Sequence, residues 1–385
     1  MYAIFRPLLF RLDPEVAHLL ASGTARIAQT VAPSLIAPLF GFEHPMLQQS
    51  LWGKPFANPV GLAAGFDKNA RLVRFWARAG FGYCEVGSVS ARACAGNPKP
   101  RAFRLPMDRA LINRMGLNND GAEEISRRLK KLPLESLPPL GINLVKTHDP
   151  EIMGNGAIVD FRHSFRLLAG LADYVVLNIS CPNTLEGKTF EDPESLHTLL
   201  TAIMADREEM RLRVPILIKL SPTFSRHVVY DSAIEETIAV ALELGVEGLI
   251  ANNTASDRDE LRTPAQEVAR IGRGGLSGAP LTARTTRLVQ YLHLKTGGKI
   301  PIIAVGGIDS AETAYANIRA GASLVQLYTG LVYRGPGVVK RINRGLVRLL
   351  KQDGFAHLRD AIGVDSASMP ANPVAPEVLE PATVA

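Results

Sequence analysis

Cysteine is scarce in this chain: Cys84, Cys94 and Cys181 are the only three in 385 residues. An odd count at irregular spacing offers neither a disulfide framework nor a zinc-binding pattern, and it suits a reducing compartment. Long apolar runs are missing as well. No charge-free stretch reaches the ~18 residues that a membrane span needs, and the longest candidate, Ile27 to Phe42, carries Pro33 and Pro38. The start of the chain lacks the pattern of a signal peptide, because Arg6, Arg11, Asp13 and Glu15 interrupt its apolar residues. It is therefore expected to stay on the mature protein. Concentrated charge is equally sparse. A net charge of +6 and a pI of 9.3 permit nucleic acid, a phosphorylated cofactor, an anionic substrate or a lipid surface without choosing among them. The one tight basic group, Arg127-Arg128-Leu-Lys130-Lys131, reads as the solvated face of a helix. No Walker-type loop occurs, and Gly272-Arg-Gly-Gly-Leu-Ser-Gly278 fails the dinucleotide spacing because Ser277 takes the last glycine position. A nicotinamide cofactor in a Rossmann unit is not expected.

What is present is an ordinary globular composition, 46% hydrophobic and 21% charged with 33 glycines and 26 prolines, enough to bury a substantial core. The length suits two average domains, or one barrel of roughly 250 residues or more. Residues 1–45 read as short amphipathic helices: Phe5, Leu8, Leu9 and Leu12 recur at helical spacing, and Asp13-Pro14-Glu15 is a helix start before Val16, Leu19 and Leu20. A cap on the main domain and a hairpin lying on a membrane surface or forming the mouth for an apolar ligand fit this segment equally well.

From residue 59 the pattern changes to short apolar runs, each followed by a helical or loop segment. The eight runs begin at Pro59, Gly82, Leu140, Tyr174, Pro215, Glu247, Pro301 and Ser323. Helices are expected over 71–79, 195–211, 233–244, 311–320 and 337–350, several closed by glycine. Eight such units in order predict an α/β fold, a (β/α)8 TIM barrel with an N-terminal helical extension, the barrel occupying residues 46–363. The tail 364–385 has no periodicity and is expected to be disordered. Two long connections, residues 88–118 and 254–279, leave the carboxyl ends of strands, where barrels build their active sites.

Each strand ends in polar or glycine residues: Asp67-Lys68 after strand one, Gly87-Ser88 after two, Asn143 in three, Asn178 and Cys181 at four. Lys219 ends strand five, Asn252-Asn253-Thr254 six, Gly306-Gly307 seven and Tyr328-Thr329 eight. Any one of these is an ordinary turn residue or cap; together they indicate a ligand site. Glycines after strands seven and eight mark the usual phosphate position. The amides of Asn113, Asn143, Asn178, Asn183 and Asn253 suit a flat heterocycle with alternating C=O and N–H. Lys68 and Lys219 suit a carboxylate and a ring that becomes anionic on reduction. Taken alone, Cys181 in Leu177-Asn-Ile-Ser-Cys-Pro-Asn-Thr184 reads as a buried structural cysteine.

Several segments resemble the class 2, quinone-linked dihydroorotate dehydrogenases. They are Asn58-Pro-Val-Gly-Leu-Ala-Ala-Gly-Phe-Asp-Lys68, Gly96-Asn-Pro-Lys-Pro-Arg-Ala-Phe-Arg-Leu105, Ile112-Asn-Arg-Met-Gly116, Gly274-Gly-Leu-Ser-Gly278, Pro301-Ile-Ile-Ala-Val-Gly-Gly307 and Gly321-Ala-Ser-Leu-Val-Gln-Leu-Tyr-Thr329, with Asp13-Pro-Glu-Val-Ala-His18 near the start. The resemblance covers roughly residues 1–363. It implies an FMN oxidoreductase of pyrimidine biosynthesis. FMN would be held by Ala63, Ala64, Gly65, Ser88, Asn143, Asn178, Lys219, Asn252, Gly278, Gly307, Tyr328 and Thr329, and no metal is implied. Dihydroorotate would be contacted by Lys68, Asn113, Arg114, Met115, Gly116, Leu117, Asn178, Asn183, Asn253 and Thr254. The N-terminal helices would form a quinone tunnel, with His18, Arg104 and Tyr328 at its inner end, on a peripheral protein at the cytoplasmic face of the cell membrane.

The base that removes the C5 proton would be the residue before Pro182, here Cys181, where class 2 members carry serine and the soluble class 1 enzymes cysteine. A free thiol has a pKa of about 8.5 and loses its proton with less help than a hydroxyl. Other departures are Leu185-Glu-Gly-Lys-Thr-Phe190, Leu117 for phenylalanine, Asn252 for threonine, and Ser90-Ala-Arg-Ala-Cys94 for a proline-rich loop. They leave open a paralogous flavin barrel acting on another dihydropyrimidine or ene. An RNA-binding barrel like the dihydrouridine synthases is a further alternative, but it lacks a visible basic domain, so no nucleic acid is expected.

Overall fold

Eight apolar runs, three to seven residues long, become parallel strands. They are, in chain order, Val60–Leu62, Tyr83–Val89, Leu140–Leu144, Tyr174–Asn178, Ile216–Leu220, Gly248–Ala251, Ile302–Val305 and Leu324–Leu327. A computed structural model describes residues 2–180, 190–222 and 232–368. In it each strand pairs in parallel with the next, and the eighth pairs with the first, so the sheet closes. The expected (β/α)8 barrel is therefore the observed one, with all eight runs in their expected places.

Alternation along each strand sorts side chains into two cores. Val60, Leu62, Ile142, Val175, Ile218 and Val325 face outward onto the helices, whereas Tyr83, Tyr174, Leu217, Ile250, Ile303 and Leu324 fill the barrel. The register sets glycine opposite tyrosine, Gly61 against Tyr83 and Gly141 against Tyr174. A Cβ on either glycine would fall inside the facing ring. A hairpin of Gln49–Leu51 and Lys54–Phe56 closes the amino end, with Phe56 edge-on to Tyr83 at 5.5 Å and Trp52 against Tyr174 at 5.6 Å.

The helices expected over 71–79, 195–211, 233–244, 311–320 and 337–350 are present as Val73–Arg78, Pro193–Glu209, Ser232–Glu243, Ala311–Ala320 and Val338–Gln352. Gly154–Leu168 and Thr282–Thr296 add two more. The basic group at 127–131 ends the helix Ala122–Leu129, where Arg127 and Arg128 pair with Glu124. The two long connections converge in a feature the pattern did not show. Ala102–Leu105, Ala110–Asn113 and Gly275–Gly278 form a three-stranded antiparallel sheet over the barrel rim.

Ahead of the barrel stand α1 (Tyr2–Leu9), α2 (Pro14–Val31) and α3 (Pro33–Phe40). Asp13 caps α2 by accepting from the N–H groups of Glu15 and Val16, and Pro14 occupies the first helical position. Contacts to the barrel are few but specific. Gln29 bridges Arg71 O and Phe75 N at 3.1 Å each. Arg101 grips Glu15 at 3.1 Å with both side chains largely buried.

At the other end, the first residues of the segment expected to be disordered are tied to the barrel. Asp365 pairs with Arg319 at 2.7 Å and Ser366 is buried, because Arg319 anchors this turn. Residues 369–385 lie outside the described residues.

Gly141→Ala is expected to destabilise the fold by about 1–3 kcal/mol, the range for overpacking a filled core. Thermal unfolding should show a lower Tm for this variant, with no such drop for Gly23→Ala on the open face of α2.

Candidate active site

The polar strand ends meet at the carboxyl rim, where they line an open cleft with a cavity volume of about 150 Å³. Ala63, Ala64 and Gly65 enter from strand one, Ser88 from two, Asn178 from four, Lys219 from five, and Asn252, Asn253 and Thr254 from six. Gly306 and Gly307 follow strand seven, and Tyr328, Thr329 and Gly330 follow eight. The rim sheet contributes Asn113, Ser277 and Gly278, and Lys68, Met115 and Leu117 complete the wall.

Not every expected residue reaches it. Asn143 is fully buried behind Ser88, whose hydroxyl donates to Asn143 Oδ1 at 2.5 Å. Arg114 turns away: its guanidinium binds Ile271 O at 2.5 Å and stacks over Phe103 at 4.6 Å. Gly116 also stays off the wall, packed against Asn97. Cys181, Asn183 and residues 185–189 of the altered segment lie outside the described residues. Immediately before them Ser180 is buried, its hydroxyl donating to Lys219 O at 2.7 Å, which fixes the end of strand four.

Lining residues not expected from the sequence include Gln326, Leu281, Val305 and Ile308. Gln326 could have been found as the lone amide inside Leu324–Leu327. Glu85, inside the apolar run Tyr83–Val89, gives a similar signal from below the cleft floor.

The wall carries unsatisfied polarity. Thr254 Oγ1 and Gln326 Oε1 are buried without a hydrogen-bond partner among the described residues. Such groups cost roughly 1–3 kcal/mol each unless a ligand completes them. Gly307 has φ +73°, and a Cβ there would collide with Thr282. Its backbone can therefore lie close to the start of helix Thr282–Thr296 as only glycine allows. Lys68 donates to Asn118 Oδ1 at 2.5 Å. Among the described residues no cluster of three His, Cys, Asp or Glu side chains could hold a metal.

A file of rings leads from the cleft to the N-terminal helices. Tyr328 meets Phe66 edge-on at 5.3 Å, and Phe66 meets His18 of α2 at 5.0 Å. Burial pushes the Tyr328 phenol up to about 12. The His18 imidazole is held below its ordinary value, first by burial and then by the Lys68 charge. Arg104 lies 4.7 Å over the Phe10 ring and donates to Leu12 O at 2.8 Å, leaving its Nε buried and unpartnered among the described residues.

A closed β/α barrel with amides, lysines and glycine turns gathered at its carboxyl rim has the arrangement in which barrel enzymes bind their ligands. The chain matches the family model described as dihydroorotate dehydrogenase over residues 46–350. It is 42% identical over 367 residues to dihydroorotate dehydrogenase (quinone) of Nocardia farcinica, covering 95% of this chain and 97% of that protein. The namesake of Natronomonas pharaonis is likewise 42% identical over 367 residues, with 95% and 99% covered. Its fold superposes on the crystal structure of the Eimeria tenella dihydroorotate dehydrogenase in complex with ferulenol, with a TM-score of 0.82, 35% identity and coverage of 92% and 96%. The chain belongs to the dihydroorotate dehydrogenase family, in its quinone-linked class.

His18 should titrate, by NMR of its imidazole, with a midpoint below 6.5. Lys68→Met should raise that midpoint only part of the way, since burial is the larger cause. The unfolded chain takes the proton first, so this contribution to stability is present above the unfolded pKa of about 6.5 and is lost as pH falls through the lowered folded value. His18→Gln should flatten that acid limb. A midpoint at or above 6.5 contradicts the lowering by partial burial and the Lys68 charge.

Proposed function

We propose that this protein is a quinone-linked dihydroorotate dehydrogenase of pyrimidine biosynthesis that carries FMN at the barrel rim and uses Cys181 as its base. The observation that carries this reading is the single cleft in which Lys68, Asn178, Asn253 and the unsatisfied Thr254 and Gln326 converge. These groups fit a flavin and a dihydropyrimidine: flat rings with alternating acceptors and donors, one bearing a phosphate tail and the other a carboxylate.

FMN, when bound, supplies the acceptor for the hydride that leaves C6 of dihydroorotate. The chain does the rest. Gly278, Gly307, Thr329 and the N–H groups opening the turn at Thr329 would hold the phosphate. Ala63, Ala64, Gly65, Ser88, Asn178, Lys219, Asn252 and Tyr328 would flank the ring, with Asn143 acting through Ser88. Lys68 would take the dihydroorotate carboxylate. Asn113, Met115, Leu117, Asn183, Asn253 and Thr254 would bracket its ring, while Arg114 and Gly116 shape that loop from behind. Cys181, as thiolate, would take the C5 proton, so that loss of that proton and of the C6 hydride yields the C5=C6 double bond of orotate.

Quinone, as the electron acceptor, would be taken up on the side of α1–α3. Eleven large apolar side chains of Ile4–Leu39 are exposed, including Ile4 at 77% and Val31 at 76%. Exposure on this scale marks a surface meant for lipid or another apolar partner. No helix among the described residues is long and apolar enough to cross a membrane. A peripheral seat at the cytoplasmic face of the cell membrane fits, with residues 1–45 as the docking extension. The buried Nε of Arg104, together with His18 and Tyr328, would receive the quinone head.

Dihydroorotate added anaerobically should bleach the flavin band of the purified protein, and a short-chain quinone should restore it. Alkylation by iodoacetamide should abolish the bleaching, with orotate protecting. Undiminished bleaching after complete alkylation of Cys181 would remove the cysteine base, and no bleaching of untreated protein would remove the substrate.

A further inference from the structure

Inside the barrel, below the cleft, sits a carboxylate with no solvent exposure, Glu85 of strand two. Its neighbours are neutral donors. Asn143 Nδ2 donates to Oε1 at 2.9 Å and Gln326 Nε2 to Oε2 at 2.6 Å, with the Tyr174 hydroxyl farther off at 3.4 Å. Burying a carboxylate is costly, and an apolar side chain would fill the same space more cheaply.

A carboxylate only accepts hydrogen bonds. Both amides must therefore turn their NH2 groups toward Glu85 and their carbonyl oxygens away from it. Asn143 Oδ1 then accepts the Ser88 hydroxyl at 2.5 Å. With its proton spent, Ser88 Oγ accepts from Asn178 Nδ2 at 3.0 Å. Asn178 Oδ1 in turn accepts from Asn253 Nδ2 at 3.2 Å. Every donor in this series points toward Glu85. On the other branch, the same constraint leaves Gln326 Oε1 on the cleft wall as a buried acceptor without a partner among the described residues.

We propose that Glu85 is a positioning residue: an acceptor that closes a directional hydrogen-bond chain anchored at its far end by Ser180 O and the Thr254 N–H, and that fixes which amide face Gln326 presents to the rings in the cleft. The inference rests on the functional reading given above. It explains why Asn143 sits behind the wall, as a link between Glu85 and Ser88. It also gives Gln326 a role, as the acceptor for a ring N–H.

Glu85→Gln is nearly isosteric but has only one acceptor oxygen. It must donate to one of its two amide neighbours, and that amide has to flip. Flipping Asn143 would disturb Ser88, Asn178 and Asn253 in turn. Flipping Gln326 leaves that chain intact and alters only its contact with the Tyr83 hydroxyl, so Gln326 turns and presents NH2 where the cleft had an acceptor. A ring N–H would then face a donor.

The test is an FMN titration of flavin-free protein, followed by quenching of flavin fluorescence, with thermal unfolding of the same samples. Glu85→Gln should unfold within a few degrees of wild type yet bind FMN at least about tenfold more weakly, the size expected for one mismatched buried hydrogen bond. The double variant Glu85→Gln, Gln326→Glu restores an acceptor on the wall and should recover part of that loss, which a purely space-filling role would not do. Should Glu85→Gln fail to fold, Gln326→Met removes the same acceptor and should weaken FMN to a similar degree. Wild-type affinity in the folded variant, or in Gln326→Met, overturns the assignment while leaving the enzyme reading intact. Failure of the wild-type protein to bind FMN overturns both.

Discussion

Closure of the sheet is the constraint on which the rest of the structure depends. Eight parallel strands that pair all the way round leave no free edge, and they direct all eight carboxyl ends to one rim. Polar residues that look unrelated along the chain, from Lys68 to Thr329, thereby line one cleft. Closure also commits alternate residues to a narrow interior. The glycine-tyrosine pairs, Gly61 with Tyr83 and Gly141 with Tyr174, show how tightly the lower part is filled. Only above these rings does the interior turn polar, at Glu85, Asn143 and Gln326.

The rim sheet and the N-terminal helices are built onto this frame by a few directional contacts. Asp108 receives the N–H groups of Arg262 and Thr263 and so ties the connection after strand six to the one after strand two. Arg101 binds Glu15 on α2 while donating to Ala95 O and Asn97 O at 2.8 and 2.9 Å. The helix bearing His18 is thus fastened to the loop bearing Met115 and Leu117, because Asn97 holds Met115 O and Arg114 O. A shielded ion pair of this kind does little for net stability but strongly opposes separation of its partners.

How much of this was legible in the residues depended on whether the signal was local. Strands such as Ile216–Leu220 and Ile302–Val305 announce themselves as short apolar runs, and Gly245 and Gly321 punctuate the helices before the next strands. The hairpin at 49–56 and the rim sheet were not legible, since Gly275–Gly278 pairs with Ala110–Asn113 across more than 150 residues. The residue type of Asn143 suits a ligand-binding amide; its place behind Ser88 depends on strand register, which spacing does not reveal. Glu85 and Gln326 were hidden inside otherwise apolar runs. The significance of Cys181 came from family resemblance, and that residue lies outside those the structure describes.

On the proposed function, one redox centre would have two approaches. Dihydroorotate would enter at the rim by the loop of Met115 and Leu117, and quinone would arrive through α1–α3 beyond Tyr328, so the two need never occupy the cleft together. Steady-state rates measured over a grid of dihydroorotate and quinone concentrations test this most directly. The account predicts parallel double-reciprocal lines, as each substrate reacts with a separate half of the cycle. Lines that intersect, showing that both must be bound before electrons move, would contradict it.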